Sequence, residues 1–481
     1  MLICADLWTR AAWLLELLPF QIWGMILSVD YEMDVAVVGG GACGMVTALR
    51  AARDGRLQIG VFERSTREMC NTEISSGSLA AGGTRFQRKA GIVDSWQDHA
   101  ADILRKNHGQ ANKEIVEALC QIAPKYVEWL HDEVGHELEL AVESIRSGHT
   151  VTRLHTDPER AGGGLLVRRL RSAIANTANI AFVDDTPVVG LQSVVGESVE
   201  GLIIQEREGQ RTVRSRAVVL ACDGFGANAN MVRQYLPDIS GAEYIGVSNN
   251  RGDGIKWGLQ VGAGVKHMGA YQGHGQVVAG YGTRVSPAIP LLGGIVINCL
   301  GRRFVHEDQG YSEFAGELLR QPGGWAIEVW DEEIMRRVKE SELMRESAAA
   351  GAFVQVGGWA ALSERFNLPR LALEKTITEY ESGILDGSDP FGNEKVERSL
   401  VPPLYAAKIT GALAHTQGGL IVNTLGEVLR DDGDRIDNLY AGGGTAAGVS
   451  GDKADGYLSG NGLLSAVGFG YIIGNQLAKV L

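Results

Sequence analysis

The stretch Met33-Asp34-Val35-Ala36-Val37-Val38-Gly39-Gly40-Gly41-Ala42-Cys43-Gly44 sets three glycines at G-x-G-x-x-G spacing directly after an apolar run. Gly39 permits a tight turn, Gly41 lets the backbone approach a pyrophosphate, and Gly44 lets the following helix pack on the strand. The start of that helix, around Ala42 and Cys43, offers unpaired N–H groups to an anion. A second apolar run, Ile59-Gly60-Val61-Phe62, ends at Glu63, 24 residues after Gly39. A carboxylate there accepts both ribose hydroxyls of an adenosine. An ordinary tight turn would account for the glycines but not for the acid. Strand, turn, helix and acid in register specify an ADP-containing dinucleotide.

The rest of the composition narrows the class by exclusion. A net charge of −13 leaves no basic stripe to displace phosphate counterions, which argues against a nucleic-acid partner. The six cysteines (Cys4, Cys43, Cys70, Cys120, Cys222, Cys299) are scattered without a C-x-x-C, so zinc, iron–sulfur and c-type haem sites lack support. Unpaired thiols suit a reducing, cytoplasmic setting. Cys43, beside the glycine turn, reads as a small buried filler rather than a redox group. Asp431-Asp432-Gly433-Asp434 is too short for a calcium loop and reads as a solvated hairpin turn, so no metal site is expected. Ala11 to Val29 is apolar but interrupted by Glu16, Pro19 and Gln21, a poor membrane span. Residues 1–32 are expected to be an extension outside the fold, with Met25 or Met33 as the true start; a membrane-surface helix is the alternative.

The elements that must carry these groups follow from pattern. The unit β-α-β occupies 33–63, with its strand starting at Met33 or just after, and a loop of small residues runs from Asn71 to Gln87. Residues 94–142 have helical spacing, 165–178 form a further helix, and 180–220 form short strands. Residues 270–400 change character, with more Trp and short helices, and the glycine-rich style returns from Thr410 to a last helix near 462–478. The expected fold is α/β: a Rossmann-like domain built from both chain ends (33–269 and 401–481) with an α+β cap (270–400) inserted.

Four segments then act together: the fingerprint, Asn71–Gln87, Gly301-Arg302-Arg303-Phe304-Val305-His306-Glu307, and His415-Thr416-Gln417-Gly418-Gly419 with the tail Leu439-Tyr440-Ala441-Gly442-Gly443. Over residues 33–481 the chain resembles the fumarate reductase/succinate dehydrogenase flavoprotein superfamily, which includes the 3-ketosteroid dehydrogenases. The resemblance implies FAD held in a two-part domain beneath a mobile cap. It implies cofactor contacts from Gly39, Gly41, Ala42, Cys43, Gly44, Glu63, Arg64, Thr72, Val188, Ala221, Cys222, Gly443 and Gly444, with Ser75, Ser76, Gly77 and Ser78 along the flavin ring. Asp253, in Arg251-Gly252-Asp253-Gly254, matches the family's T-G-D-G turn. Asn461, Gly462, Leu463 and Leu464 would set a helix N-terminus at the flavin pyrimidine. Respiratory members carry FAD covalently on a histidine; none occurs here between residues 65 and 98, so FAD is expected to be non-covalent.

At the substrate site the chain departs from the fumarate reductases, which grip two carboxylates with two histidines and two arginines. His274 and His415 match the histidines. The arginine eight residues after Arg303 is Tyr311, and the arginine expected near the tail is replaced in Asp455-Gly456-Tyr457-Leu458-Ser459. A dicarboxylate would lose its counter-charges, which argues against fumarate or succinate. The tyrosines resemble those of ketosteroid dehydrogenases acting at the Δ4 bond. That resemblance implies hydride exchange between flavin N5 and a carbon β to a carbonyl, Tyr311 moving the α proton, and Tyr457 and Ser459 polarising the carbonyl oxygen. The expected substrate is a small-molecule ketone or enone. With no second dinucleotide fingerprint, electrons must be exchanged with an external partner: oxygen, a quinone, a free flavin or a carrier protein. A fumarate reductase-like reductase of an unsaturated carboxylate, a non-catalytic FAD-binding protein and another type of flavin enzyme are the alternatives.

Overall fold

The computed structural model describes residues 30–142, 146, 148–194, 198–307, 309–392 and 398–481. Of the expected N-terminal extension, residues 1–29 therefore lie outside the described residues. The first strand, Tyr31–Val38, lies in parallel between Ile59–Phe62 and Gly209–Leu220. It begins two residues before the expected start, because Tyr31 and Glu32 pair with Val213 and Arg214. Partner register, rather than apolar pattern, sets that end. Ile180–Val183 and Arg435–Ala441 extend the parallel sheet on either side. Val35 to Val38 and Ile59 to Phe62 are buried throughout, the continuous apolar run expected of strands covered on both faces.

The helix Ala42–Ala51 that follows the glycine turn packs along the terminal helix Asn461–Val480. Small residues permit this: a Cβ on Gly470 would stand 2.6 Å from Cys43 O. The two ends of the chain thus close one Rossmann-like domain, as the sequence led us to expect.

A second sheet joins Tyr271–Val278, Ile295–Asn298, Trp325–Asp331, Val354–Val356 and Leu404–Thr416 around its own apolar core. Its long strand, Leu404–Thr416, pairs with Trp325–Asp331 over its first half and with Tyr271–Val278 beyond, bringing Gln272 opposite His415. Among the described residues no helix is long and apolar enough to cross a membrane.

Glu328 sits in the centre of this second core, fully buried, with neither carboxylate oxygen hydrogen-bonded among the described residues. Burial, with a smaller contribution from the Glu307 charge, pushes its pKa well above the usual carboxyl range. The folded state therefore holds the proton more tightly than the unfolded chain. Its contribution to stability is fully present below the unfolded pKa, about 4.3, and is lost as pH rises above that value. Glu328→Met should raise the unfolding free energy by roughly 1–3 kcal/mol near pH 8 and gain less near pH 4. Denaturant unfolding at the two pH values checks this; an equal effect at both would refute the protonation account.

Candidate active site

A cavity of about 1900 Å³ opens between the glycine turn and the second sheet, well beyond the roughly 300–1,000 Å³ of a drug-sized pocket. Its first end is built by the fingerprint. Gly39 has φ +107, and a Cβ there would stand 2.4 Å from Ala221 O. Gly44 packs under the turn, where a Cβ would meet Gly39 O at 1.9 Å. Gly41, by contrast, faces open space, its nearest neighbour being Thr72 Oγ1 at 3.8 Å from a built Cβ. The helix Ala42–Ala51 has no side-chain cap and no acid in its first turn, so its N-terminus keeps its attraction for an anion. Among the described residues only Ala42 N–H is engaged by a side chain there, donating to Thr72 Oγ1 at 3.2 Å. The Glu63 carboxylate accepts Gly40 N–H at 2.6 Å and Ser65 N–H at 3.1 Å and lines the cavity. Open glycine, uncapped helix and fixed acid fit an ADP-containing dinucleotide. Arg64 and Asp253, ion-paired at 2.8 Å, close the wall beside them.

At the other end four elements converge. Tyr311 starts the helix Tyr311–Leu319, which is clamped on Tyr271–Val278 by Ser312 Oγ, accepting Gly273 N–H at 2.9 Å and donating to Tyr271 O at 3.3 Å. The Tyr311 ring lies 5.5 Å from that of His274 and 6.2 Å from that of Tyr457, and Tyr457 lies 5.6 Å from His415. Gln272 Nε2 donates to the Tyr311 hydroxyl at 3.5 Å. Burial raises the Tyr311 pKa; hydrogen bonds with Ser459 and Tyr457 and the charge of Arg146 act in the opposite direction. Burial holds Tyr457 well above the usual phenol value.

Both histidines present Nε2–H to the pocket. His274 Nδ1 accepts Gln276 N–H at 3.3 Å, and burial, helped by Arg284, holds its pKa down at about 3. His415 Nδ1 lies 3.4 Å from the Thr416 carbonyl and 3.1 Å from Gln417 Nε2; the shorter contact, backed by a chain of bonds, sets the tautomer. Asn461 Nδ2 donates to Ser450 Oγ at 3.0 Å, and the Ser450 hydroxyl donates to Gln417 Oε1 at 2.8 Å. Gln417 Nε2 is thereby turned to donate to His415 Nδ1 at 3.1 Å. Nε2 is left beside Gly462, 3.1 Å from where a Cβ there would stand. Burial lowers the His415 pKa, so both imidazoles are neutral donors able to hold a carbonyl oxygen.

The family described as FAD binding domain matches residues 34–463. The chain belongs to this family. Its cofactor is FAD. Among curated relatives, the NADH:fumarate oxidoreductase of Klebsiella pneumoniae (strain 342) is 29% identical over 451 residues, which are 93% of this chain and 48% of that protein. The chain thus spans about half the length of that relative. A flavocytochrome c3 fumarate reductase in its open conformation superposes with a TM-score of 0.79 at 25% identity, covering 94% of this chain and 79% of that one. The 3-ketosteroid-Δ4-(5α)-dehydrogenase of Rhodococcus jostii RHA1 shares the fold, with a TM-score of 0.76 at 24% identity over 94% of this chain and 98% of that one.

In this flavoprotein most of the residues singled out from sequence line the one cavity, including Val188, Ala221, Cys222, Gly443, Gly444, Ser75, Ser76, Ser78, Gly462 and Leu463. Gly44, Gly77, Asn461 and Leu464 do not line it. Gly44 and Gly77 shape turns with no room for a side chain, Leu464 is fully buried in the core, and Asn461 holds Ser450. The terminal helix still presents an uncapped N-terminus to the cavity through Gly462 and Leu463, suited to negative charge on a flavin ring. Arg146 and Arg284 also line the cavity. No sequence motif marks either of them; Arg284 acts on His274, whose pKa its charge helps to lower.

Proposed function

We propose that this flavoprotein adds or removes two hydrogens across a CH–CH bond next to a carbonyl, with Tyr311 moving the proton at the α carbon. The observation that carries this reading is the cluster of buried Tyr457 with half-buried Tyr311 and Ser459, set in the same cavity as the dinucleotide turn and flanked by two neutral histidines. Bound FAD supplies the hydride chemistry. Tyr457 and Ser459, with the Nε2–H groups of His274 and His415, orient and polarise the carbonyl oxygen. The name of the Klebsiella relative, a fumarate oxidoreductase, supports chemistry at a carbon–carbon bond.

Phenols at positions 311 and 457 favour a ketone or enone. An unsaturated carboxylate is the second reading, favoured by Arg146 and Arg284 on the cavity wall. FAD is held without a covalent link, in keeping with a histidine-free segment from 65 to 98. The cap covers 270–400 between FAD-binding parts 33–269 and 401–481, moored by the shared strand Leu404–Thr416. Electrons pass to or from an external partner. Five thiols unpaired among the described residues accord with the cytoplasm.

Product analysis tests the reaction class. With a converted ketone or enone, mass spectrometry should find a change of two hydrogens; incorporation of oxygen, or loss of an amine, would contradict it.

A further inference from the structure

We infer that Lys106 and Asn107, consecutive residues at the end of one helix, are positioning residues that set the two site phenols in register. Lys106 acts through the segment that carries Tyr311, and Asn107 through the one that carries Tyr457. The inference rests on the roles given to Tyr311 and Tyr457 in the proposed function.

The phenols come from different parts of the fold, yet their rings lie 6.2 Å apart. Tyr311 starts a helix on the second sheet, and Tyr457 follows the short turn Ala454–Gly456 that leads to the terminal helix. The helix Trp96–Lys106 belongs to the Rossmann-like domain: it packs on Lys113–Asp132, which packs on the terminal helix. It also touches the turn Ala454–Gly456, as does the helix Tyr311–Leu319. Its last residue and the next reach both phenol-bearing segments.

Lys106 Nζ is ion-paired with Glu313 Oε1, each side chain 16% exposed. Glu313 is the third residue of the Tyr311 helix, and its other oxygen folds back over the helix start. Gly310 has φ +130, and a Cβ there would collide with Glu313 Oε2. A carboxylate at this place complements the positive end of the helix. The pair thus holds the turn on which Tyr311 stands against the Rossmann-like domain. Asn107 is fully buried, and its Nδ2 donates to Val449 O at 2.9 Å. Its Cβ lies 3.2 Å from where a Cβ on Gly451 would stand and 2.9 Å from one on Gly456, the residue before Tyr457. Three residues on, Gln110 Oε1 accepts Asp452 N–H at 3.0 Å. The approach to Tyr457 is therefore fastened at Val449 and Asp452, with glycines where it passes closest. Neither Lys106 nor Asn107 lines the cavity; each acts through what it holds. One peptide bond joins them, so a shift of one phenol segment against the other strains one of these contacts. A misplacement of about 1 Å can cost on the order of 10²-fold in rate.

The test uses FAD-loaded protein and the variants Lys106→Met, Glu313→Gln, their combination, Lys106→Arg, and Asn107→Ala, which keeps the Cβ beneath the turn. Steady-state kinetics with a converted substrate is one readout. The other, which needs no substrate, is fluorine NMR of 3-fluorotyrosine placed at position 311 or 457. Lys106→Met and Glu313→Gln should each lower kcat about tenfold, leave KM nearly unchanged and shift the 311 resonance. The combined variant should be no worse than either single change, because partners in one contact are not additive, and Lys106→Arg should stay near wild type. Asn107→Ala should instead raise KM about tenfold and shift the 457 resonance. Additive losses in the combined variant, unmoved resonances, or a fall in FAD binding that accounts for the lost rate would overturn the inference. Glu313→Gln carries the same prediction if Lys106→Met does not fold. Wild-type turnover in Tyr311→Phe would remove the proposed function while leaving the resonance shifts in place.

Discussion

Tyr311→Phe should lower kcat by about 10²-fold or more, the scale of a lost general acid or base, while FAD stays bound and the fold is unchanged. The side chain is half-buried at the start of a short helix clamped through its neighbour Ser312, not through its own hydroxyl. Removing one oxygen therefore leaves the packing in place. What is lost is the one phenol in the pocket with several partners favouring its ionised form: Ser459, Tyr457 and Arg146. Tyr457→Phe provides the contrast. Burial holds Tyr457 protonated, so its loss should weaken substrate orientation and raise KM more than it lowers kcat. Steady-state kinetics on the two variants separates the roles. Wild-type kcat in Tyr311→Phe would defeat the assignment, and an equal fall in kcat for both would make the phenols interchangeable.

The second large effect lies at the dinucleotide turn, where two glycines of one motif should fail in different ways. A Cβ on Gly44 would lie 1.9 Å from Gly39 O, so Gly44→Ala must push the helix Ala42–Ala51 off the turn. Overpacking of this kind costs about 1–3 kcal/mol, and the uncapped helix N-terminus moves with it. Gly41→Ala meets nothing in the protein nearer than 3.8 Å. It should leave the unfolding temperature of the FAD-free protein unchanged yet weaken FAD binding at least about tenfold, roughly 1.4 kcal/mol, because the methyl group takes the space through which a pyrophosphate approaches. Thermal unfolding without FAD and fluorescence titration with FAD distinguish them. Destabilisation by Gly41→Ala, or tight FAD binding by Gly44→Ala, would contradict the division of labour.

The cofactor end was legible in the sequence because its parts are close together along the chain. Gly39, Gly41, Gly44 and Glu63 belong to one β-α-β unit, and their spacing is dictated by one turn and one sheet register. Tyr311 could be singled out only through the family resemblance, which expects an arginine eight residues after Arg303, although Arg303 itself turns out to be a structural cation, buried against Glu307 and Asp389. The tautomer of His415 could not be read, since it depends on Gln417, Ser450 and Asn461 meeting across the fold. Nor could the place of Arg146 on the cavity wall, which no motif marks. The start of the first strand at Tyr31 was missed for the same reason: its partners, Val213 and Arg214, are far away in sequence. The loss of two arginines from the expected positions was visible, but which arginines of other segments line the cavity was not.

The central claim, that an FAD-loaded site here exchanges two hydrogens with a CH–CH bond beside a carbonyl, is tested most directly by the flavin's visible absorption under anaerobic conditions. The oxidised protein would be titrated with saturated ketones, cyclic and steroid-sized, and the reduced protein with enones, unsaturated carboxylates and fumarate. Bleaching by a saturated ketone, or recovery of colour with an enone, both slowed about 10²-fold in Tyr311→Phe, is the expected result. A colourless protein that does not retain FAD, or a flavin reduced by amines and inert to every carbonyl compound in the panel, would contradict it.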